Sequence, residues 1–160
     1  MWYARLCVRR SLSFEHSDIV VYEKITPSHP LHVFAPHGVF FHGRWFSCVA
    51  QVVLYRVANM ACDVKLRDKI SKHKQLSLGC GIRYAQRLFQ RYPYLENQWL
   101  PMTIDAMHYL LVFRKDLYAL FKELSDTHVI ALHDKRDPVF CGKRGMNIGG
   151  RALMEIKPWY

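Results

Sequence analysis

The sequence predicts an α/β fold, a mixed, mostly parallel sheet with flanking helices, and three observations carry that reading. Short extended apolar runs stand at both ends of the chain: Ile19-Val20-Val21-Tyr22 and Leu31-His32-Val33-Phe34 early, His128-Val129-Ile130-Ala131-Leu132 late. Between them lie longer stretches in which apolar residues recur at helical spacing. Apolar residues make up 51% of the 160 residues, enough for one real core in a single domain spanning 19–160.

Taken in order, the second extended run opens onto Ala35-Pro36-His37-Gly38. Proline donates no ladder hydrogen bond, and glycine lets backbone or ligand come close, so the pattern reads as a strand ending in a tight turn that presents His37. Trp45 to Met60 reads as a helix, with Phe46, Val49, Ala50, Val53, Leu54 and Val57 on one face. Asp63 to Lys74 is highly charged and reads as a strand-loop or as the polar tail of that helix. Gly79-Cys80-Gly81 predicts a break, followed by a short helix from Ile82 to Tyr92 that sets Arg83, Arg87 and Arg91 outward and stops at Pro93. Tyr94 to Met102 reads as a loop or short strand. A long helix over 103–124 follows, with Thr103 as N-cap and an interruption at Arg114-Lys115-Asp116. After the strand at Val129 to Leu132, a charged turn from His133 to Pro138 leads to a last helix opened by Lys143-Arg144-Gly145.

Composition bounds the function. Net charge is +10 and pI is near 9.6, which favours an anionic partner: a lipid headgroup, an acyl-CoA, RNA or acidic neighbour subunits. The five cysteines are odd in number and show no C-x-x-C pair, against both a disulfide framework and a zinc site. His29, His32, His37 and His42 lie close in sequence, but their spacing does not suit a metal, and no metal or cofactor is expected. No run approaches the ~20 apolar residues that cross a bilayer. Residues 1–18 form a basic arm with Arg5, Arg9, Arg10, Ser11 and Ser13, and no acidic residue before Glu15, the composition of a mitochondrial transit peptide.

The stretch around Pro36-His37-Gly38-Val39 resembles the signature block of the diacylglycerol and monoacylglycerol acyltransferase family, whose hallmark is His-Pro-His-Gly after a strand. Ala35 stands where the first histidine of that motif would be. Val33-Phe34 resembles the strand leading in, and Lys24-Ile25-Thr26-Pro27 the segment before it. Further on, Arg114-Lys115-Asp116-Leu117 with Val129-Ile130-Ala131-Leu132 resembles the family's next helix and strand. Lys143-Arg144-Gly145-Met146 with Arg151-Ala152-Leu153 resembles its basic block. The resemblance implies a shortened acyltransferase-like domain in which His37 would be the general base, with Gly38, Lys143 and Arg144 contacting lipid or acyl-CoA. The glycine pair that follows the family's strand is replaced here by the charged turn Asp134 to Asp137.

With those motif parts missing, the leading expectation is a non-catalytic structural subunit of a larger mitochondrial assembly, peripheral to the inner membrane. Other protein subunits and an anionic lipid such as cardiolipin would be its partners. An active glycerolipid acyltransferase using His37 is the alternative, and a mitochondrial ribosomal protein a third. Nucleic acid ranks lower among the partners, although basic residues interleave with Tyr84, Tyr92, Tyr94 and Trp99.

Overall fold

The computed structural model describes residues 22–124, 129–134, 136–142 and 145–156. The architecture is α/β, with a small parallel sheet and flanking helices. In chain order the elements are β1 (Tyr22–Ile25), β2 (Val39–Phe41), β3 (Arg44–Phe46), α1 (Val49–Met60), α2 (Val64–Ser71), α3 (Leu78–Arg91), a single 3-10 turn (Pro93–Leu95), α4 (Glu96–Phe113), α5 (Lys115–Lys122), β4 (Val129–Leu132) and α6 (Ile148–Ile156). β1 and β4 pair in parallel, Tyr22 opposite Val129 and Ile25 opposite Leu132. β2 and β3 form a separate antiparallel hairpin, Val39 opposite Phe46. Among the described residues no helix is long and apolar enough to cross a membrane.

The strand expected at Leu31 to Phe34 is instead a run of turns. Its amides bond locally: His29 N–H donates to the Thr26 carbonyl, His32 to His29, and Ala35 to His32. Leu31, His32, Val33, Phe34 and Ala35 are all buried. Every side chain in the run points into protein, so the apolar signal came from burial on all sides and not from a pleated ladder. Val129 to Leu132 is a strand as expected, but its partner is β1 and not the 31–34 segment. Ile19, Val20 and Val21 lie outside the described residues, as does the basic arm 1–18.

The helix expected from Trp45 begins at Val49, because Trp45 belongs to β3. His42 and Gly43 both take positive φ, 47° and 76°. That is the two-residue turn whose twist matches a β-hairpin, and glycine enters it without a Cβ clash. The charged stretch after α1 is itself a helix, α2, capped by the Asp63 carboxylate, which accepts from Leu66 N–H at 3.1 Å. The Gly79-Cys80-Gly81 segment does not break the chain. Ser77 caps α3 from in front of it, and Gly81 lets the Phe34 ring lie against the helix where a Cβ would be 2.2 Å from Phe34 Cε1. Pro101 and Thr103 both sit inside α4, where the Thr103 hydroxyl donates to the Trp99 carbonyl at 2.7 Å. The expected interruption at Arg114 is present and separates α4 from α5.

Two buried amide side chains tie these elements together. Gln51 on α1 accepts from the Ser47 N–H and hydroxyl, and donates to the Ile70 and His73 carbonyls at the end of α2. Asn147 works on the outer edge of β4. Its Oδ1 accepts from Leu132 N–H at 3.0 Å and its Nδ2 donates to the Ile130 carbonyl at 3.0 Å. α6 then starts against that edge, so close that a Cβ on Gly150 would lie 2.4 Å from the Ile130 carbonyl oxygen.

Replacing Asn147 by alanine would leave a buried donor and a buried acceptor of β4 unpaired. We expect Asn147→Ala to lower unfolding free energy by about 2–4 kcal/mol, measured by urea denaturation. A loss within experimental error of zero would mean that water satisfies the β4 edge.

Candidate functional site

Three places in the structure could carry chemistry. The first is His37. It lies in the bend before β2 and not at a strand end. Its Nδ1 accepts from Arg114 Nη1 at 3.4 Å, and the Pro30 carbonyl engages the ring as well. Partial burial, then the Arg114 charge, hold its pKa below the usual imidazole value. Arg114 is itself clamped by Asp116 through two hydrogen bonds of 2.9 and 2.7 Å. That bidentate contact pulls the Asp116 carboxyl down to about 2. In this arrangement the Nδ1 lone pair of the histidine is turned to a guanidinium. Gly38 carries the Trp45 indole against its α-carbon, at a distance where a Cβ would be 1.8 Å from Cζ2. Its lack of a side chain is therefore used in packing the hairpin. Lys143 and Arg144 lie outside the described residues.

The second place is the buried end of the parallel pair, where His32, Asp137 and Cys141 meet. Cys141 Sγ lies 3.8 Å from His32 Nε2 and 3.6 Å from Asp137 Oδ2. A cysteine, a histidine and an aspartate in contact suggest a nucleophile relay, but the protons are arranged against it. His32 Nδ1 accepts the Phe34 N–H at 3.2 Å, so in the neutral ring Nε2 carries the hydrogen and faces the sulfur as a donor. Burial holds His32 down to about 4. Burial, then the Asp137 charge, push the Cys141 thiol far up, and burial raises Asp137 although Val139 and Phe140 N–H both donate to it. A thiolate is disfavoured here, and the thiolate is the reactive form. The cluster is a satisfied polar network under the turn that follows β4.

The third place is open to solvent. Phe41, His42, Arg44, Phe46, Tyr55 and Arg56 line a cleft of about 380 Å³ between the hairpin and α1. The guanidinium of Arg44 lies over the Tyr55 ring, 4.9 Å from its centroid, and that of Arg56 over Phe41 at 5.0 Å. Tyr109 of α4 packs on Phe41 with centroids 4.7 Å apart and extends the aromatic wall. Arg56 is paired with Asp105 at 3.1 Å, whereas Arg44 has no acidic partner among the described residues. Guanidiniums stacked on rings keep their N–H edges free for an anion while their orientation is fixed. Among the described residues no group of three or more His, Cys, Asp or Glu could hold a metal ion.

The crossover that brings β4 beside β1, with α1 packed between α4 and α2 and the hairpin against α4 and α1, defines the topology. The chain has the fold of the E. coli protein YbiA. The NMR structure of YbiA matches it with a TM-score of 0.66 over 92% of this chain and 89% of YbiA, at 16% sequence identity. At that identity the likeness shows the fold alone. No protein-family model and no curated protein matches the chain. The expected acyltransferase resemblance is overturned by this match. Of the three motif blocks that carried it, the first needed a strand directly before Pro36-His37-Gly38, where the structure has a run of turns.

The cleft residues belong to no motif: Arg44 and Arg56 stand 12 residues apart in the sequence, on β3 and α1. The usable signal was His42-Gly43, two turn formers between Val39-Phe40-Phe41 and Arg44-Trp45-Phe46.

His32 makes the buried network sensitive to acid. The unfolded chain binds a proton there near 6.5, the folded protein only at about 4. Between those values the unfolded state holds more protons, so this stability is fully present above pH 6.5 and is lost as pH falls toward 4. Asp137 acts in the opposite sense, because its raised pKa makes protonation favour the folded state. We expect the urea midpoint to fall from pH 7 to pH 5, with roughly 2 kcal/mol lost through His32. His32→Asn, whose Oδ1 can accept the Phe34 amide, should flatten that dependence. An identical pH profile in the variant would remove His32 as the cause.

Proposed function

We propose that this protein is a non-catalytic binding module for an anionic ligand with a planar ring, of the nucleoside phosphate class, held in the cleft between the hairpin and α1. The observation that supports this most is the pair of arginines stacked on Tyr55 and Phe41 in one solvent-open cleft. Arg44, free of any carboxylate among the described residues, would take the phosphate. The ring would stack on the outer faces of the guanidiniums that cover Tyr55 and Phe41. A binding role fits the protonation pattern better than catalysis does. His37 is turned to Arg114, and the Cys141 thiol is held protonated.

A role as a subunit of a larger assembly is the second reading. Phe40, Trp45, Val112 and Phe113 are exposed large apolar side chains on the hairpin and at the end of α4, of the kind a neighbouring subunit covers. The mitochondrial placement and the anionic-lipid contact rest on residues 1–18 and on Lys143 and Arg144, outside the described structure, and stay proposals with them.

Calorimetric titration with ADP tests the cleft. Binding should weaken about tenfold or more in Arg44→Ala, the loss expected for a charge-assisted hydrogen bond. Adenosine and inorganic pyrophosphate should each bind more weakly than ADP. If ADP heats are absent, or if Arg44→Ala binds ADP as the unaltered protein does, the cleft is not the site.

A further inference from the structure

α3 carries a second cationic feature, separate from the cleft. Arg83, Arg87 and Arg91 recur at every fourth residue on its exposed side, with Gln86 and Gln90 between them. These five side chains line a groove of about 430 Å³ along the helix. α3 contains no acidic residue. Arg91 gives one contact to Asp63 at 3.4 Å and stays 55% exposed, and Arg83 reaches only the Cys80 sulfur at 3.1 Å. Like charges four residues apart destabilise a helix by a few tenths of a kcal/mol per pair. Within the described residues this stripe has no compensating acidic stripe opposite it.

We propose that this face of α3, with Tyr94 just beyond it, is a docking track for single-stranded nucleic acid. Cations about 6 Å apart along the helix offer forks to successive phosphates. The Gln90 amide between them can bond sugar and phosphate oxygens, whereas Gln86 Nε2 donates to the Arg136 carbonyl at 3.1 Å. At the C-terminal end of the stripe Tyr94 is 70% exposed, set edge-to-face on Tyr92 with centroids 6.2 Å apart, and Arg91 lies over Tyr92. An exposed aromatic beside a basic groove is the stacking platform that single strands use. The other aromatic rings near this basic stretch are engaged elsewhere: Trp99 is fully buried, and the Tyr84 hydroxyl meets His73 at 2.9 Å.

An anionic membrane is the competing partner for a basic helix. A helix that lies on a membrane inserts large apolar side chains next to its cations. Among the described residues the exposed large hydrophobics are Phe40, Trp45, Met60, Val64, Tyr94, Val112 and Phe113, none of them in α3. Phe89, the large aromatic on that helix, turns inward onto Trp99.

The test is fluorescence anisotropy of the full chain with a labelled oligouridylate of about 12 nucleotides over a range of salt. Three phosphate contacts predict a slope of log K against log salt of roughly −2. Arg87→Gln should shallow that slope by about 0.7 and weaken binding roughly tenfold. Tyr94→Ser should weaken binding about fivefold or more with the slope unchanged. Lys122→Gln, which removes a charge on α5, should change neither. Circular dichroism verifies that each variant is folded. A salt slope near zero in the unaltered protein overturns the proposal without any variant. Equal binding by Arg87→Gln also overturns it, as does capture by phosphatidylserine vesicles with no oligonucleotide binding.

Discussion

The structure depends on how a sheet of two strands satisfies its outer edge. β1 occupies one side of β4; on the other, Ile130 and Leu132 would leave a buried carbonyl and a buried amide facing protein. Asn147 fills that place with the two groups a neighbouring strand would have offered, and Gly142 N–H donates to the Leu132 carbonyl at 2.8 Å. Its backbone takes a positive φ of 51°, a conformation asparagine tolerates better than most residues. Because the chain must reach β4 there and at once begin α6, the position of α6 follows from the edge it closes. Gln51 plays the equivalent part for α1 and the end of α2. Two side-chain amides thus act as fragments of backbone in a fold too small to provide the backbone itself.

That economy decides where chemistry is possible. The ends of the parallel strands are where α/β proteins commonly bind ligands. Here the turns after β1 and β4 fold over that end and bury it. Leu31 to Ala35 covers it from one side and Val139 to Cys141 from the other, and all of these residues are buried. The polar groups caught beneath, His32, Asp137 and Cys141, are driven toward their uncharged forms by loss of water. A histidine facing a cysteine is therefore no sign of a nucleophile when its acceptor nitrogen is spent on a backbone amide. The solvent-open cleft lies instead beside the hairpin, an excursion that the small sheet does not need for its own hydrogen bonding.

How much of this was legible in the sequence varies with the kind of signal. β4, the interruption at Arg114, the stop before Pro93 and the outward face of Arg83, Arg87 and Arg91 could be read, because each depends on local periodicity or on proline. The α/β class could be read for the same reason. The segment from Leu31 to Phe34 could not, since a turn buried on all sides and a strand buried on both faces look alike in apolar content. The glycines at 79 and 81 read as a break, when the Phe34 ring from a distant segment makes the second of them an asset to the helix. Pro101 read as a terminus, although it falls early in α4, within a helix whose buried side holds it in place. The candidate site was the least legible part. A single histidine motif drew attention to His37, while the residues that meet in the cleft come from the hairpin and from α1, and only the turn at His42-Gly43 brings them together.

The two cationic features differ in what they can contribute. In the cleft, stacking on Tyr55 and Phe41 fixes the arginines before any ligand arrives, so little rotamer freedom remains to be lost on binding. Such a site discriminates by shape, and its ligand must be small enough to enter between the hairpin and α1. Along α3 the arginines are exposed and open to screening by salt. Their attraction is long in range at low ionic strength and indifferent to what lies beyond the phosphates. On the two proposals, the arginine pair in the cleft would supply selection and the stripe on α3 capture. The stripe would raise the local concentration of anions near the surface, and the pair would decide which of them is retained.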